Sequence, residues 1–322
     1  MVPPLITLEE HFFANAVANS LDGKYAEQFK AMPGVPEQLR DLGPLRLEKM
    51  AAGQVSLQVI SHAPGAPHPP QCQEANDQLA AAVKQHPDRF AGFAVLPVMD
   101  PEASAAELER TVRQHGFVGA LIDAHVDGKC YDGDEYDCMW AMAEKLDVPI
   151  YLHPTWPSDD MNPRYEGNIT SGATRSLGAS GWGWHSETAL HVLKLFAAGK
   201  FDQFPKLKII VGHFGEMLPF MLQRISNLSV RWGERQRKIK QVWDENIWIT
   251  TSGVWSLDPL RCILHNTKID HILYSVDYPF EKNENGLRWM QELERSGLVT
   301  QEQLEMIAYK NAEKLLGVKA PQ

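Results

Sequence analysis

The 322-residue chain predicts an α/β fold, a single distorted (β/α)8 TIM barrel with an aromatic lid inserted after the fifth strand. Three observations carry that expectation. Eight short apolar runs recur along the chain, each is followed by a longer segment, most of them with helical spacing, and several runs are apolar on both alternations, as strands covered on both faces must be. Their roughly 270-residue span suits a closed barrel. An open doubly wound sheet is the alternative, weakened because neither G-x-G-x-x-G nor a P-loop follows the first run.

The elements follow in order. Leu5 to Leu8 is the first strand, and the long stretch Phe12 to Arg46, with Pro33 and Pro36, reads as a loop over the barrel mouth. Val55 to Ile60 is followed by the helical segment Cys72 to Gln85, Phe90 to Leu96 by Ala103 to His115, and Ala120 to Ile122 by Asp134 to Lys145. After the fifth strand, Val148 to Leu152, comes Pro154 to His185, rich in Pro, Gly and Asn but carrying Trp156, Trp182 and Trp184. Its aromatic content argues for an ordered lid. Helical spacing resumes over Ser186 to Ala198. Leu207 to Val211, with Lys208-Ile209-Ile210-Val211 apolar on both alternations, precedes the helix Met217 to Arg231, and Ile247 to Ile249 and Ile272 to Tyr274 complete the set. No linker, repeat or low-complexity tract interrupts the chain, so residues 1–322 read as one domain.

Composition removes several functions. Thirty-one Lys plus Arg against 41 Asp plus Glu leave a net charge of −10, with no clustered positive surface for nucleic acid. Apolar residues at 44 % and charged residues at 22 % suit a soluble globular protein. Cys72, Cys130, Cys138 and Cys262 form no C-x-x-C pair, which suits reduced thiols in the cytoplasm. The start of the chain lacks a signal-peptide pattern and no apolar run is long enough to span a bilayer, so no membrane partner is expected.

Chemistry collects where the runs end. Leu5 to Leu8 leads into Glu9-Glu10-His11, Val148 to Leu152 into His153, Leu207 to Val211 into Gly212-His213, and Ile272 to Tyr274 into Ser275-Val276-Asp277. In a barrel all strand C-termini open onto one face, so side chains far apart in sequence converge there. Glu9 and His11, two apart on a strand, point to one side. Two carboxylates with imidazoles and no thiolate suit Zn, Mn or Fe, and Mg with added water. Of the remaining histidines, His86, His115, His265 and His271 read as surface residues and His191 as a helix residue. His62, His125 and His185 are candidates to face the pocket.

These residues sit in Leu8-Glu9-Glu10-His11-Phe12, His86-Pro87-Asp88-Arg89-Phe90, Gly116-Phe117-Val118-Gly119-Ala120-Leu121, Leu152-His153-Pro154, Gly212-His213-Phe214-Gly215-Glu216, Thr250-Thr251-Ser252-Gly253 and Asp277-Tyr278-Pro279-Phe280-Glu281. Asn311-Ala312 and Leu315-Leu316 follow. Along essentially its full length the sequence resembles the metal-dependent amidohydrolase superfamily. Within it, the sequence is similar to the branch of aminocarboxymuconate-semialdehyde decarboxylase and of the gamma-resorcylate, 2,3-dihydroxybenzoate and salicylate decarboxylases. Classical members carry H-x-H after the first strand, whereas Glu9-x-His11 follows the benzoate decarboxylase pattern.

The resemblance implies that Glu9, His11, His153 and Asp277 hold one divalent cation (Mn2+, Mg2+ or Zn2+). It implies that Asp277 carries a proton to the ring carbon of an aromatic acid, assisted by His213 and Glu216, and that the protein forms a homodimer or homotetramer. Asp123, Trp184, Phe280 and Arg224 are the candidates for substrate contact, with Arg224 read in the alternative as a structural ion-pair partner. Where relatives place Asn, this chain has Asp123, which accepts a hydroxyl but repels a carboxylate. Arg164 and Arg175 are lid candidates for the substrate carboxylate.

The expected activity is non-oxidative decarboxylation of an ortho-hydroxybenzoate-like acid, with a small aromatic carboxylic acid as partner. The same barrel and metal also suit hydrolysis of a lactone or amide, and a degenerate, non-catalytic binding barrel is the third reading.

Overall fold

The computed structural model describes residues 2–65 and 69–321, the side chains of residues 18–24 excepted. All eight apolar runs form strands: β1 (Leu5–Phe12), β2 (Val55–His62), β3 (Phe90–Gly92), β4 (Ala120–Asp123), β5 (Ile150–His153), β6 (Ile209–Val211), β7 (Ile247–Thr250) and β8 (Ile272–Leu273). Neighbours pair in parallel, in the order β1-β2-β3 and β4-β5-β6-β7-β8. Ala94 joins the two sets: its N–H donates to the Gly119 carbonyl at 2.9 Å and its carbonyl accepts from Leu121 N–H at 3.0 Å. At the other seam the described residues form no ladder between β8 and β1. His11 N–H donates to the Tyr278 carbonyl at 2.7 Å, and side chains make the remaining bonds.

The barrel has two apolar layers, as period-2 strands between helices and an interior require. Ile6, Leu8, Leu57, Val59, Leu121, Tyr151, Ile210 and Leu273 fill the interior. Leu5, Ile60, Ile122, Leu152, Val211 and Ile249 pack outward against the helices.

The stretch from Phe12 to Arg46 is helical rather than a loop: α1 (Ala18–Ala31), α2 (Val35–Arg40) and α3 (Pro44–Ala52). Pro36, which reads as a breaker, lies in the first turn of α2, where a missing N–H removes no helical bond, and Pro44 opens α3 in the same way. Helices α4 (Pro69–Gln85), α5 (Pro101–His115) and α6 (Asp137–Leu146) cover the first half of the barrel. Between β5 and β6 lie α7 (Ser171–Gly178), α8 (Gly183–Ala197) and α9 (Lys200–Gln203). A single turn, α10 (His213–Glu216), follows β6 and leads into α11 (Leu218–Leu228). The chain ends through α12 (Ile239–Asn246), α13 (Leu257–Ile263), α14 (Asn283–Ser296), α15 (Gln301–Glu305) and α16 (Asn311–Leu316). His271, read as a surface residue, is buried: its ring stacks on Trp248 at 4.3 Å and its Nδ1 donates to the Ile247 carbonyl at 2.7 Å.

One irregularity in β1 positions the site. Thr7 pairs with Gln58 and Glu10 with Ile60, so Leu8 and Glu9 together oppose Val59. A bulge of this kind re-aims the residues after it. Ile6 and Leu8 point inward, and strict alternation would send Glu10 in after them. The extra residue turns Glu9 and His11 inward instead.

Candidate active site

Glu9 and His11 on β1, His153 at the end of β5 and Asp277 beyond β8 converge at the C-terminal mouth of the barrel, each offering an atom within 4.8 Å of the others. His153 Nε2 lies 3.1 Å from Glu9 Oε1, and His11 Nε2 lies 3.2 Å from Asp277 Oδ1. Yet Glu9 Oε1, His11 Nε2 and His153 Nε2 are buried without an aligned hydrogen-bond partner. Buried polar atoms are nearly always paired. Three that point at one another's neighbourhood without bonding fit a cation with mixed N/O ligands.

The far sides of His153, Glu9 and His11 have partners of their own, as the orientation of a candidate ligand requires. His153 Nδ1 donates to the Pro154 carbonyl at 2.7 Å, which leaves the Nε2 lone pair facing the site. Glu9 Oε2 accepts from the Tyr151 hydroxyl and from Thr250 Oγ1 at 3.2 Å, so only Oε1 is offered. Ser61 Oγ lies 3.4 Å from His11 Nδ1. Gly212 makes room for this arrangement: a Cβ there would lie 3.0 Å from Glu9 Oε2 and 3.1 Å from the Tyr151 hydroxyl.

His213 and Glu216 sit beside these four candidate ligands. His213 Nδ1 meets Glu216 Oε1 at 2.8 Å, and its Nε2 lies 3.7 Å from Glu9 Oε1. The other Glu216 oxygen meets His185 Nδ1 at 2.6 Å. Burial acts upward on Glu216, but the two imidazoles hold it down at about 2. Burial acts downward on His213, but Glu216, Glu9 and Asp277 lift it to about 10. For Glu9, burial is outweighed by His213, His153 and His11, which keep its carboxyl well below the ordinary range. Asp277 moves the other way, raised by burial and by the Glu9 charge. Two carboxyls in one site are thus driven apart, one toward the anion and one toward the acid.

Above these groups opens a cavity of about 400 Å3, lined among others by Tyr25, Gln28, His153, Trp184, His185, His213, Asp277 and Phe280. Aromatic rings make one wall. Phe280 lies 5.8 Å from His11 and is stacked on Tyr25 at 6.1 Å. Tyr25 meets Trp156 edge-on at 5.8 Å, and Trp156 meets Trp184 at 4.9 Å.

The remaining sequence candidates lie elsewhere. Asp123 is not among the residues that line the cavity: its Oδ2 accepts from Gly65 N–H at 3.0 Å and from Thr155 Oγ1 at 3.2 Å. Arg224 is on the exposed face of α11, between buried Leu222 and Ile225, and does not line the cavity. Arg164 is exposed and faces Glu187 at 3.4 Å, and Arg175 lines an outer groove. His62 and His125 are occupied by backbone amides, of Ala14 and Gly128 respectively.

Two residues that contact Glu9 did not stand out in the sequence, Tyr151 and Thr250. Tyr151 could have been found, since it precedes His153 by two on the same strand and so shares its face. Thr250 ends β7. Of the three histidines read as candidates to face the pocket, His185 lines the cavity, and no local signal ranked it above His62 and His125.

An amidohydrolase family model matches residues 10–318. The chain is 61 % identical to Decarboxylase orsB of Emericella nidulans, over 99 % of this chain and 98 % of that protein. It is 36 % identical to the gamma-resorcylate decarboxylase of Rhodococcus jostii, over 88 % of this chain and 91 % of the relative. Among solved structures it is similar to a dihydroxybenzoic acid decarboxylase from a Polaromonas species with bound manganese and the inhibitor 2-nitroresorcinol. There the TM-score is 0.86 and the identity 32 %, covering 98 % of this chain and 97 % of the other.

Proposed function

The chain belongs to the amidohydrolase family, and on that premise we propose that it is a metal-dependent, non-oxidative decarboxylase of an ortho-hydroxybenzoate-like aromatic acid. The observation that carries the reading is the set of unpaired, convergent atoms of Glu9, His11 and His153 beside Asp277 at the floor of an aromatic-walled cavity. The relatives named above are decarboxylases, which favours C–C cleavage over hydrolysis of a lactone or amide.

Glu9, His11, His153 and Asp277 would hold one divalent cation, and the manganese of the solved relative supports Mn2+ over Mg2+ or Zn2+. When bound, the cation would orient the carboxylate and ortho-hydroxyl of the acid and stabilise phenolate charge. Direct loss of CO2 would leave an aryl anion, so the ring carbon must be protonated first. Asp277 gives its proton to the ring carbon that bears the carboxylate. The bond from that carbon to the carboxylate then breaks, its electron pair returns to the ring, and CO2 leaves. His213, held by Glu216, restores the proton to Asp277.

Phe280 and Trp184 flank the aromatic ring of the substrate, and the segment from Pro154 to His185, which supplies Ser180, Trp184 and His185 to the cavity lining, acts as an aromatic lid on a distorted barrel. Neither Asp123 nor Arg224 lines the cavity, and neither is assigned a contact with the substrate. Exposed Trp182, Phe220, Met221 and Val230 support self-association as a homodimer or homotetramer. Four free cysteines support a reducing compartment, the cytoplasm, and among the described residues no helix is long and apolar enough to cross a membrane.

A screen of hydroxybenzoates for CO2 release, run on chelated and on Mn2+-restored protein, tests the proposal. Release by the restored protein alone is expected. Turnover of a lactone with no aromatic acid reacting would overturn it.

A further inference from the structure

Glu9 and Asp277 reach the candidate metal position from opposite ends of the chain, and neither sits where regular geometry would place it. Glu9 faces inward because of the bulge in β1. Asp277 has φ +77°, in the left-handed region that a residue with a Cβ adopts at a cost.

One buried pair touches both irregularities. The Ser275 hydroxyl accepts from Leu8 N–H at 3.0 Å and from Glu9 N–H at 2.8 Å, the two amides of the bulge, and donates to Glu10 Oε1 at 3.0 Å. Glu10 also accepts from Val276 N–H on Oε1 and from Tyr278 N–H on Oε2, both at 3.1 Å, the amides on either side of Asp277. Both side chains are fully buried.

We infer that Glu10, acting with Ser275, is a positioning residue that sets both carboxylate ligands at once. It turns Glu9 inward at the bulge and clamps the backbone that presents Asp277. The inference rests on the reading of Glu9 and Asp277 as ligands.

The fold explains why a side chain is used. β8 is only two residues long and forms no ladder with β1 among the described residues; the bond from His11 N–H to the Tyr278 carbonyl uses an acceptor there, so the amides of Val276 and Tyr278 need another partner. A carboxylate has two acceptor oxygens in one plane and takes both amides. Glutamine has one, and would turn its NH2 against the second amide. Arg46 packs beside the same strand: its guanidinium donates to the His11 carbonyl at 2.6 Å and lies 4.9 Å above the Tyr278 ring.

The test compares wild type, Glu10→Gln and Glu10→Asp by Mn2+ titration, read from the electron paramagnetic resonance signal of free Mn2+, and by kcat and KM on an accepted hydroxybenzoate. Glu10→Gln is expected to weaken Mn2+ binding and lower kcat, each by roughly 10–100-fold, the size of a lost ligand-orienting contact, with KM moving less. Glu10→Asp keeps both carboxyl oxygens but is one methylene too short to span both amides, so it is expected to lose affinity and kcat too. Wild-type behaviour of either variant would overturn the inference. Failure of both to accumulate as folded protein would make Glu10 a folding determinant and overturn the positioning role. Wild type that binds Mn2+ but decarboxylates nothing sinks the functional proposal and leaves this inference to the titration. Wild type that binds no Mn2+ overturns the ligand reading and this inference with it.

Discussion

His213 Nδ1 lies 2.8 Å from Glu216 Oε1, within a turn whose backbone is left-handed at every residue from His213 to Met217. Glu216 uses its second oxygen for His185, so one buried carboxylate holds two imidazoles at the cavity wall.

The pH dependence follows from that contact. Glu216 helps keep His213 protonated up to about pH 10, so Glu216→Gln is expected to lower the His213 pKa. A reaction needing the imidazolium then fails at lower pH: the alkaline limb of kcat should move down, and kcat near neutrality should fall roughly 10–100-fold. A pH profile of kcat for both proteins checks this, and an unmoved alkaline limb would count against His213 as the proton source.

Asp277→Asn keeps the size of the side chain but removes the transferable proton. Turnover should drop by roughly 10²–10⁴-fold or more, with thermal stability retained. CO2 release and a melting curve on one preparation separate these effects, and near-normal decarboxylation would exclude Asp277 as the proton carrier.

Gly215 occupies the left-handed turn at φ +83°, and a Cβ there would lie 3.0 Å from Ile249 Cγ2 and from Trp243 Cη2. Gly215→Ala should destabilise the protein by about 1–3 kcal/mol, read as a lower denaturant midpoint at unchanged slope.

Metal should stabilise the fold, because the candidate ligands come from both ends and the middle of the chain and are assembled only in the folded state. At a free Mn2+ concentration about 100 times its dissociation constant the gain should be about 2.7 kcal/mol. Thermal melts of chelated protein with and without Mn2+ measure it, and His153→Ala should reduce the gain sharply.

Phe280 and Arg224 should part company. Phe280→Ala removes a ring from the cavity wall and should raise KM about 2–12-fold, the equivalent of a lost aromatic contact of about 0.5–1.5 kcal/mol. Arg224→Ala, on an exposed helix face, should leave kcat/KM within about twofold. Steady-state kinetics on the two variants decides.

Much of this was legible without coordinates. Eight runs of apolar residues marked eight strands because burial on both faces leaves a dense local signal, and ligand-type residues directly after four of those runs located the site. The helices between β1 and β2 were not legible, because Pro36 and Pro44 punctuate a sequence identically whether they end a helix or begin one.

By itself, then, the sequence determined the barrel, the chemistry of its mouth and the side shared by Glu9 and His11. Only the tertiary structure decided which side that is. Alternation from Ile6 and Leu8 points Glu10 inward, and the bulge that reverses this is held by the hydroxyl of Ser275, 266 residues beyond Glu9. Period-2 patterning reports only on neighbours along one strand, whereas a bulge is stabilised by whatever partner the closed barrel brings to its unpaired amides.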